Sequence, residues 1–423
     1  MAEQLSSGKK IILLFKELSW LDRLLTPTII LSIIIGILIS VYVPDARDKF
    51  ESDAKLAGVG VPLAIGLILM MVPPLCNVSW ESIHHILRQK SVYRQLFISL
   101  IINWILCPFL MLALSWMVLF NETEYRIGII MIGIARCIAM VLVWNGLAGG
   151  DNTLCTIIVV MNSIMQIVLF APYQIFLCYV ISGTSNVGSA SYSEVAESVG
   201  AFLGIPLGLG LLIRFGCLAV FGREKYEKKI IPFIEPWSVV GLVYIIIVIF
   251  IAKGHDFIQE IGRAFKCFIP LVLYFLITWF GAFWLLRFLT NYFNKRDLRR
   301  QYKTEVGSSL DCQDSSELER SKKLGYASYR VTIAQAFTAA SNNFELSLAV
   351  AISVYGSGSK QSIATTFGPL LEVPVLLILT IVARYFRQSF MWIDTEDENG
   401  SEAEIEPETK ETTDIEITEI GQK

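Results

Sequence analysis

Ile132-Gly133-Ile134-Ala135-Arg136-Cys137-Ile138-Ala139-Met140 sets an arginine and a thiol in the middle of an otherwise apolar stretch of membrane-crossing length, residues 127 to 148. Ser341-Asn342-Asn343-Phe344-Glu345 interrupts a second such stretch. A bare charge at the bilayer centre costs about 3 kcal/mol on insertion scales and more in simulations, so these residues must be paired or face water. They mark a candidate solute pathway, and a fold of membrane helices that stop and restart.

The composition around them fits that fold. Of 423 residues, 54% are hydrophobic and only 17% charged, with a mean hydropathy of +0.57. A soluble domain of this length is not so apolar. Windows that can cross a hydrocarbon core of roughly 30 Å fall near 24–44, 57–75, 96–119, 127–148, 154–180, 196–220, 237–252, 265–290, 329–355 and 362–386. The expected fold class is an all-α polytopic membrane protein of ten transmembrane helices.

Lysine and arginine collect in alternate loops. Arg88, Lys90 and Arg94, then Arg223, Lys225, Lys228 and Lys229, then Lys295, Arg296, Arg299 and Arg300 lie on one side, while the loop at 181–194 has neither residue. The positive-inside rule therefore puts both termini in the cytosol. The expected organisation is a cytosolic segment at 1–23, one five-helix unit at 24–182, a second at 190–390 with a mobile cytosolic loop at about 292–327, and a tail at 394–423. The tail carries twelve acids from Asp394 to Glu419 against Lys410 and Lys423, a net charge of −10 that leaves +7 for the rest of the chain. It reads as solvated and disordered, with a regulatory or partner-binding role as the alternative.

Shifting the chain by 206 residues lays Arg136-Cys137 on Asn342-Asn343, Gly150 on Gly356, Asn162-Ser163 on Gly368-Pro369 and Gln166 on Glu372. With five spans per copy, the second copy must cross the membrane in the opposite sense. Inverted repeats are a transporter architecture whose substrate site lies where discontinuous helices meet. Spans four and nine are then the broken pair. In span nine, Ala339-Ala340-Ser341-Asn342-Asn343 combines small residues with good helix N-caps, and Glu345 falls in the first turn of a new half-helix. The alternative is a continuous helix whose asparagines bond to a neighbouring helix.

A lone buried cysteine is usually a small hydrophobe. Cys137 stands apart because Arg136 adjoins it and because a half-helix restarting there would favour the thiolate that binds soft ions. Cys76, Cys107, Cys155, Cys178, Cys217 and Cys267 read as packing. Glu345 and Glu372 also lie within apolar spans. A carboxyl held between burial and a nearby cation or helix N-terminus can bind and release protons, and Arg136 is the expected partner of one of them. Gly368-Pro369 and Pro374 suggest a further break, and Asn162 and Gln166 add polarity. No metalloprotease, nucleophile-elbow or cofactor motif is present, so no cofactor is expected and an enzyme is disfavoured. The basic residues sit at membrane edges, which argues against nucleic acid as a partner.

At this point the residues resemble a family. Residues 133–145 with Gly149-Gly150-Asp151-Asn152, residues 341–349, and Phe367-Gly368-Pro369-Leu370-Leu371-Glu372-Val373-Pro374-Val375 are similar to the arsenite efflux permeases of the bile acid, arsenite and riboflavin transporter superfamily, in particular to fungal members. The likeness runs from about Leu18 to Arg387. It implies two inverted five-helix repeats with crossing broken helices 4 and 9, exporting arsenite, and often antimonite, in exchange for protons across the plasma membrane. By motif, Cys137 matches the family's essential thiol and Glu345 its essential acid. Arg136 and Glu372 lie within matching motifs and join Glu345 in proton coupling. Asn342, Asn343 and Asn162 are the expected polar contacts of a metalloid held by Cys137. A sodium-coupled organic anion symporter shares the architecture and is the competing reading.

Overall fold

The computed structural model describes residues 20–43, 54–82, 90–138, 140–183, 190–259, 261–306 and 327–392. The N-terminal segment before Trp20, most of the 303–327 loop and the acidic tail lie outside the described residues.

The described chain is almost entirely helical. Helix α1 is Trp20–Tyr42 and α2 is Val61–Asn77. Lys90–Ile101 and Cys107–Val118 form α3, joined through a π-helical turn at Ile102–Leu106. Thr123–Ile134 (α4) and Met140–Ala148 (α5) are separated by a non-helical break. Helix α6, Asn152–Gln174, continues through a π-helical stretch, Ile175–Ile181. Helix α7 begins at Tyr192–Val199, passes through Gly200–Gly204 and runs on as Ile205–Lys225, with a bend at Gly222 (φ 75°). Then come α8, Pro236–Gln259, and α9, Phe268–Val306. A second interrupted pair follows, Tyr329–Ala340 (α10) and Phe344–Tyr355 (α11), before α12, Lys360–Ser389. The sheet seen among the described residues is a hairpin of β1 (Lys55–Leu56) and β2 (Val59–Gly60).

Among the described residues, five stretches are long and apolar enough to cross a membrane: Val92–Val118, Asn152–Ile181, Tyr192–Ile251 (bent at Gly222), Ile261–Tyr292 and Lys360–Ser389. Pro27–Tyr42, Val61–Asn77 and Phe344–Tyr355 are shorter apolar helices. The chain is a multi-pass membrane protein.

Two expectations are corrected here. Helix α12 passes Gly368-Pro369 and Pro374 without a break. Proline is tolerated within membrane helices where packed neighbours support the freed backbone groups, and α12 packs along α4, α9 and α11. Helix α9 runs to Val306, so residues 292–306 of the segment expected as a mobile loop are helical. Its sequence is polar, but Lys295, Arg296, Arg299, Arg300 and Lys303 are good helix formers.

Helices α1, α2, α7 and α8 pack on one another, and glycine sets their spacing. A Cβ on Gly241 of α8 would lie 2.8 Å from the Met70 amide nitrogen and 2.9 Å from the Gly66 carbonyl of α2. Backbones approach this closely only where the residues are small. The hairpin rests on the end of α11: Ser353 Oγ donates to the Ala57 carbonyl and lies 2.5 Å from Ser198 Oγ of α7. Past the end of α2, Arg214 of α7 forks onto Glu81 at 2.6 and 2.9 Å and also donates to the Cys76 carbonyl at 2.9 Å. The fork holds the Glu81 carboxyl below its usual range.

Gly241→Ala should lower the thermal midpoint of the purified protein by an overpacking cost of about 1–3 kcal/mol. Gly216→Ala, where a new Cβ meets nothing within 4 Å, should leave it unchanged. The Glu81 carboxylate is stabilised in the folded state, so its contribution is complete above the unfolded value near 4.5 and disappears as pH falls through the lower folded value. Glu81→Gln should therefore unfold at a lower temperature than the parent protein at neutral pH, and thermal scans of the two should converge as the pH drops through the lowered value of the Glu81 carboxyl.

Candidate functional site

The two breaks meet. Arg136 and Asn342 form an isolated antiparallel bridge, the same pair that a shift of 206 residues superimposes. Helix α4 ends with unpaired carbonyls, and the second break supplies their donors. Asn342 Nδ2 donates to the Ile132 carbonyl at 2.8 Å and to the Ala135 carbonyl at 3.0 Å, and the Asn343 amide donates to Ala135 at 3.2 Å. Both breaks are buried, which is where irregular backbone at membrane depth is tolerated.

Arg136 is fully buried, yet its contacts are not the carboxylates that its sequence context suggested. One terminal nitrogen donates to the Gly133 carbonyl at 2.5 Å and to the Tyr274 hydroxyl at 2.7 Å, and the other reaches the Ala339 carbonyl at 3.4 Å. Gly133 belongs to the last turn of α4 and Ala339 to the last turn of α10. Each helix C-terminus carries about half a negative charge, so two of them together offset about one positive charge. The expected Arg–Glu pair is therefore replaced by two helix ends and a phenol. Cys107 Sγ donates to the same Ala339 carbonyl at 3.4 Å.

The opposite ends of the half-helices hold Cys137 and Glu345. Cys137 lies in the first break and is 5% exposed, and its sulfur accepts the Val141 N–H of α5 at 3.4 Å. Asn343 caps α11, its side chain accepting from the Leu346 amide at 3.0 Å, and Glu345 sits in that first turn, partly exposed. Glu372 of α12 is buried and accepts from Ser341 Oγ at 2.5 Å, within electrostatic reach of Glu345. Asn162 accepts from the Trp104 indole at 3.1 Å.

Gln166 of α6 joins the two breaks, accepting the Arg136 amide at 3.0 Å and Asn343 Nδ2 at 3.4 Å through one oxygen. Its place opposite Glu372 in the 206-residue repeat is the signal that could have promoted it. Tyr274, 138 residues from Arg136, had no such signal. No cluster of three or more histidine, cysteine or acidic side chains able to hold a metal ion occurs among the described residues.

A pair of interrupted helices, held break to break inside a bundle of apolar helices, places this protein among the polytopic membrane carriers. Comparison with known proteins narrows the class. A model of the sodium bile acid symporter family matches residues 64–260. The arsenical-resistance protein Acr3 of Corynebacterium glutamicum is 33% identical over 365 residues, covering 85% of this chain and 88% of that protein. Acr3 of Alkaliphilus metalliredigens is 25% identical across 89% of the chain and 95% of its own length. An uncharacterised transporter of Synechocystis is 25% identical across 91% and 93%. The chain belongs to the Acr3 family of arsenical-resistance transporters.

Asn342→Ala leaves the Ile132 carbonyl without its donor and takes one of two from Ala135. A buried polar group left unpaired costs about 1–3 kcal/mol. The variant should unfold at a clearly lower temperature than the parent protein in the same detergent, whereas loss of an exposed asparagine such as Asn121 should barely register.

Proposed function

We propose that this protein exports arsenite from the cytosol in exchange for protons, and that the exchange takes place where the two breaks meet. The observation that carries the reading is the placement of one thiol and one carboxyl, Cys137 and Glu345, at the N-terminal ends of half-helices whose breaks are bonded to each other. Membership of the arsenical-resistance family supports arsenite as the solute. Antimonite, with the same thiophilic trivalent chemistry, is a second substrate in this reading.

Trivalent arsenic reaches the site as a neutral hydroxide. The Cys137 sulfur forms a bond to arsenic, and one arsenic-bound hydroxyl leaves with the thiol proton as water. Hydrolysis of the same bond releases the metalloid on the other side. One thiol suits turnover, because conduction requires binding weak enough to reverse. Asn342 and Asn343 contribute by fixing the break that presents the sulfur, and Asn162 by lining the path on α6. Glu345 takes up a proton from outside as the substrate departs and gives it up at the cytosolic face, with Glu372 as the second carboxyl of the relay. The positive ends of α5 and α11 favour electron-rich groups at both positions.

In this reading the helices make ten crossings, with each interrupted pair counted once, in two inverted halves at 24–182 and 190–390. The excess of lysine and arginine in alternate loops supports cytosolic termini, and the same reading sets the protein in the plasma membrane with outward export. The symporter family match keeps a sodium-driven organic anion carrier as the competitor, since one architecture serves both.

Arsenite uptake by everted vesicles decides between them. The full-length protein should accumulate arsenite under an imposed proton gradient and not under a sodium gradient. Cys137→Ser should reduce the rate at least about tenfold, the loss expected when a covalent contact is removed. Glu345→Gln should uncouple the remaining flux from the proton gradient. Normal exchange by Cys137→Ser, or accumulation driven by sodium, would refute this function.

A further inference from the structure

Gln166 of α6 is fully buried, and its two amide atoms have fixed senses. Its oxygen faces the first break, because the Arg136 main-chain N–H that it accepts at 3.0 Å can only donate. The nitrogen turns back to its own helix and donates to the Asn162 carbonyl at 3.2 Å. Helix α4 makes its last main-chain bond from Ala135 to the Met131 carbonyl, and the next carbonyl, that of Ile132, is taken by Asn342. The Arg136 N–H therefore lies beyond the helix, and Gln166 supplies its acceptor.

The same oxygen accepts Asn343 Nδ2 at 3.4 Å. Asn343 divides its side chain, since its Oδ1 accepts the Leu346 N–H in the first turn of α11 while Nδ2 turns to α6. A short path of hydrogen bonds results. It leads from the turn that holds Glu345, through the Asn343 cap and the Gln166 oxygen, to the residue that precedes Cys137.

The shift of 206 residues that lays Gln166 on Glu372 gives this path a meaning. Glu372 of α12 accepts from Ser341 in the second break, as Gln166 of α6 accepts from Arg136 in the first. A carboxyl in such a place changes its hydrogen bonding when it takes a proton, and a carboxamide does not. The first break is thus held by an acceptor that persists in every protonation state. It can pass on a movement that begins at an acid without itself responding to protons.

We propose that Gln166 is a positioning residue of the exchange, whose oxygen fastens the Asn343 cap to the Arg136 main chain so that a change at Glu345 alters the presentation of the Cys137 sulfur. The proposal rests on the proton-coupled reading above and adds a side-chain link between the two groups. The main-chain bond from Asn343 to Ala135 does not involve Gln166. Loss of the Gln166 oxygen should therefore uncouple the groups while the breaks stay together.

The test is a double-mutant cycle read by alkylation of Cys137 with N-ethylmaleimide, on the full-length protein in membranes, by mass spectrometry of the labelled peptide. Glu345→Gln, which imitates the protonated acid, should change the Cys137 rate. Gln166→Met fills a similar volume without the acceptor oxygen, and in that background Glu345→Gln should have little effect. The departure from additivity should reach at least about threefold, the low end for side chains in one hydrogen-bond network. Gln166→Glu keeps an acceptor oxygen and should preserve the response, which a purely space-filling role would not require. If Gln166→Met does not fold, Asn343→Asp carries the test, because it retains the cap oxygen and removes the donor to Gln166. In everted vesicles Gln166→Met should still pass arsenite down its gradient but accumulate at least about threefold less under a proton gradient. Additive effects in the cycle, no response of Cys137 to Glu345→Gln, or equal behaviour of Gln166→Met and Gln166→Glu would each overturn the proposal. Failure of the parent protein to exchange arsenite for protons refutes the function above, whereas the labelling cycle, which needs no arsenite, tests Gln166 separately.

Discussion

The Arg136 guanidinium lies between the C-terminal ends of two half-helices, and the centre of the molecule is arranged around that contact. A buried arginine needs a counter-charge, and an acidic side chain is the usual source. Here the carbonyls of Gly133 and Ala339 supply it from two helix ends, with the Tyr274 hydroxyl completing the shell. Two consequences follow. The breaks are drawn together by a charge that neither half-helix could hold alone, and neither Glu345 nor Glu372 is consumed in neutralising Arg136. Both acids stay available for the proton work proposed above.

The same contact separates the two kinds of helix end. The C-terminal, negative ends of α4 and α10 converge on the arginine, while the N-terminal, positive ends of α5 and α11 hold the thiol and the carboxyl. Two interrupted helix pairs thus carry unlike chemistry. Where the first half has Arg136, Cys137 and Gln166, the second has Asn342, Asn343 and Glu372. One half contributes the charge and the sulfur. The other contributes the carboxylates and the asparagines that stitch the breaks.

Much of this was readable from the chain, because each legible feature is local. The breaks at 135–138 and 341–343 follow from polar residues and N-cap types within apolar runs, and the capping role of Asn343 and the first-turn place of Glu345 follow from a few consecutive residues. What stayed hidden is set by packing. Arg136 has two acids within plausible sequence context, and only the fold shows that helix ends from positions 133 and 339 reach it first. Pro369 and Pro374 read as a break because the chain does not reveal which neighbours support α12 through them. The polar residues beyond 292 read as a loop because polarity after a span signals an exit from the membrane, whereas helix formation depends on propensity and continues past that exit.

The close fit of α11 to α12 explains how the acids can act as one unit. Phe344, the residue before Glu345, lies against Gly368 so tightly that a Cβ there would fall 1.7 Å from a ring carbon. Two residues before the Asn343 cap, Ser341 donates to Glu372. The start of α11 is therefore fastened to α12 on both sides of its N-cap, and through the Asn343 amide to Ala135, next to the Arg136-Cys137 pair. A displacement of α12 that changes the surroundings of Glu372 must move the first turn holding Glu345, and with it the strand of chain that presents the sulfur. In the proposed exchange, coupling of proton to metalloid then needs no distant relay, because the segments that carry the carboxyls and the thiol are joined by the Ser341–Glu372 and Asn343–Ala135 hydrogen bonds.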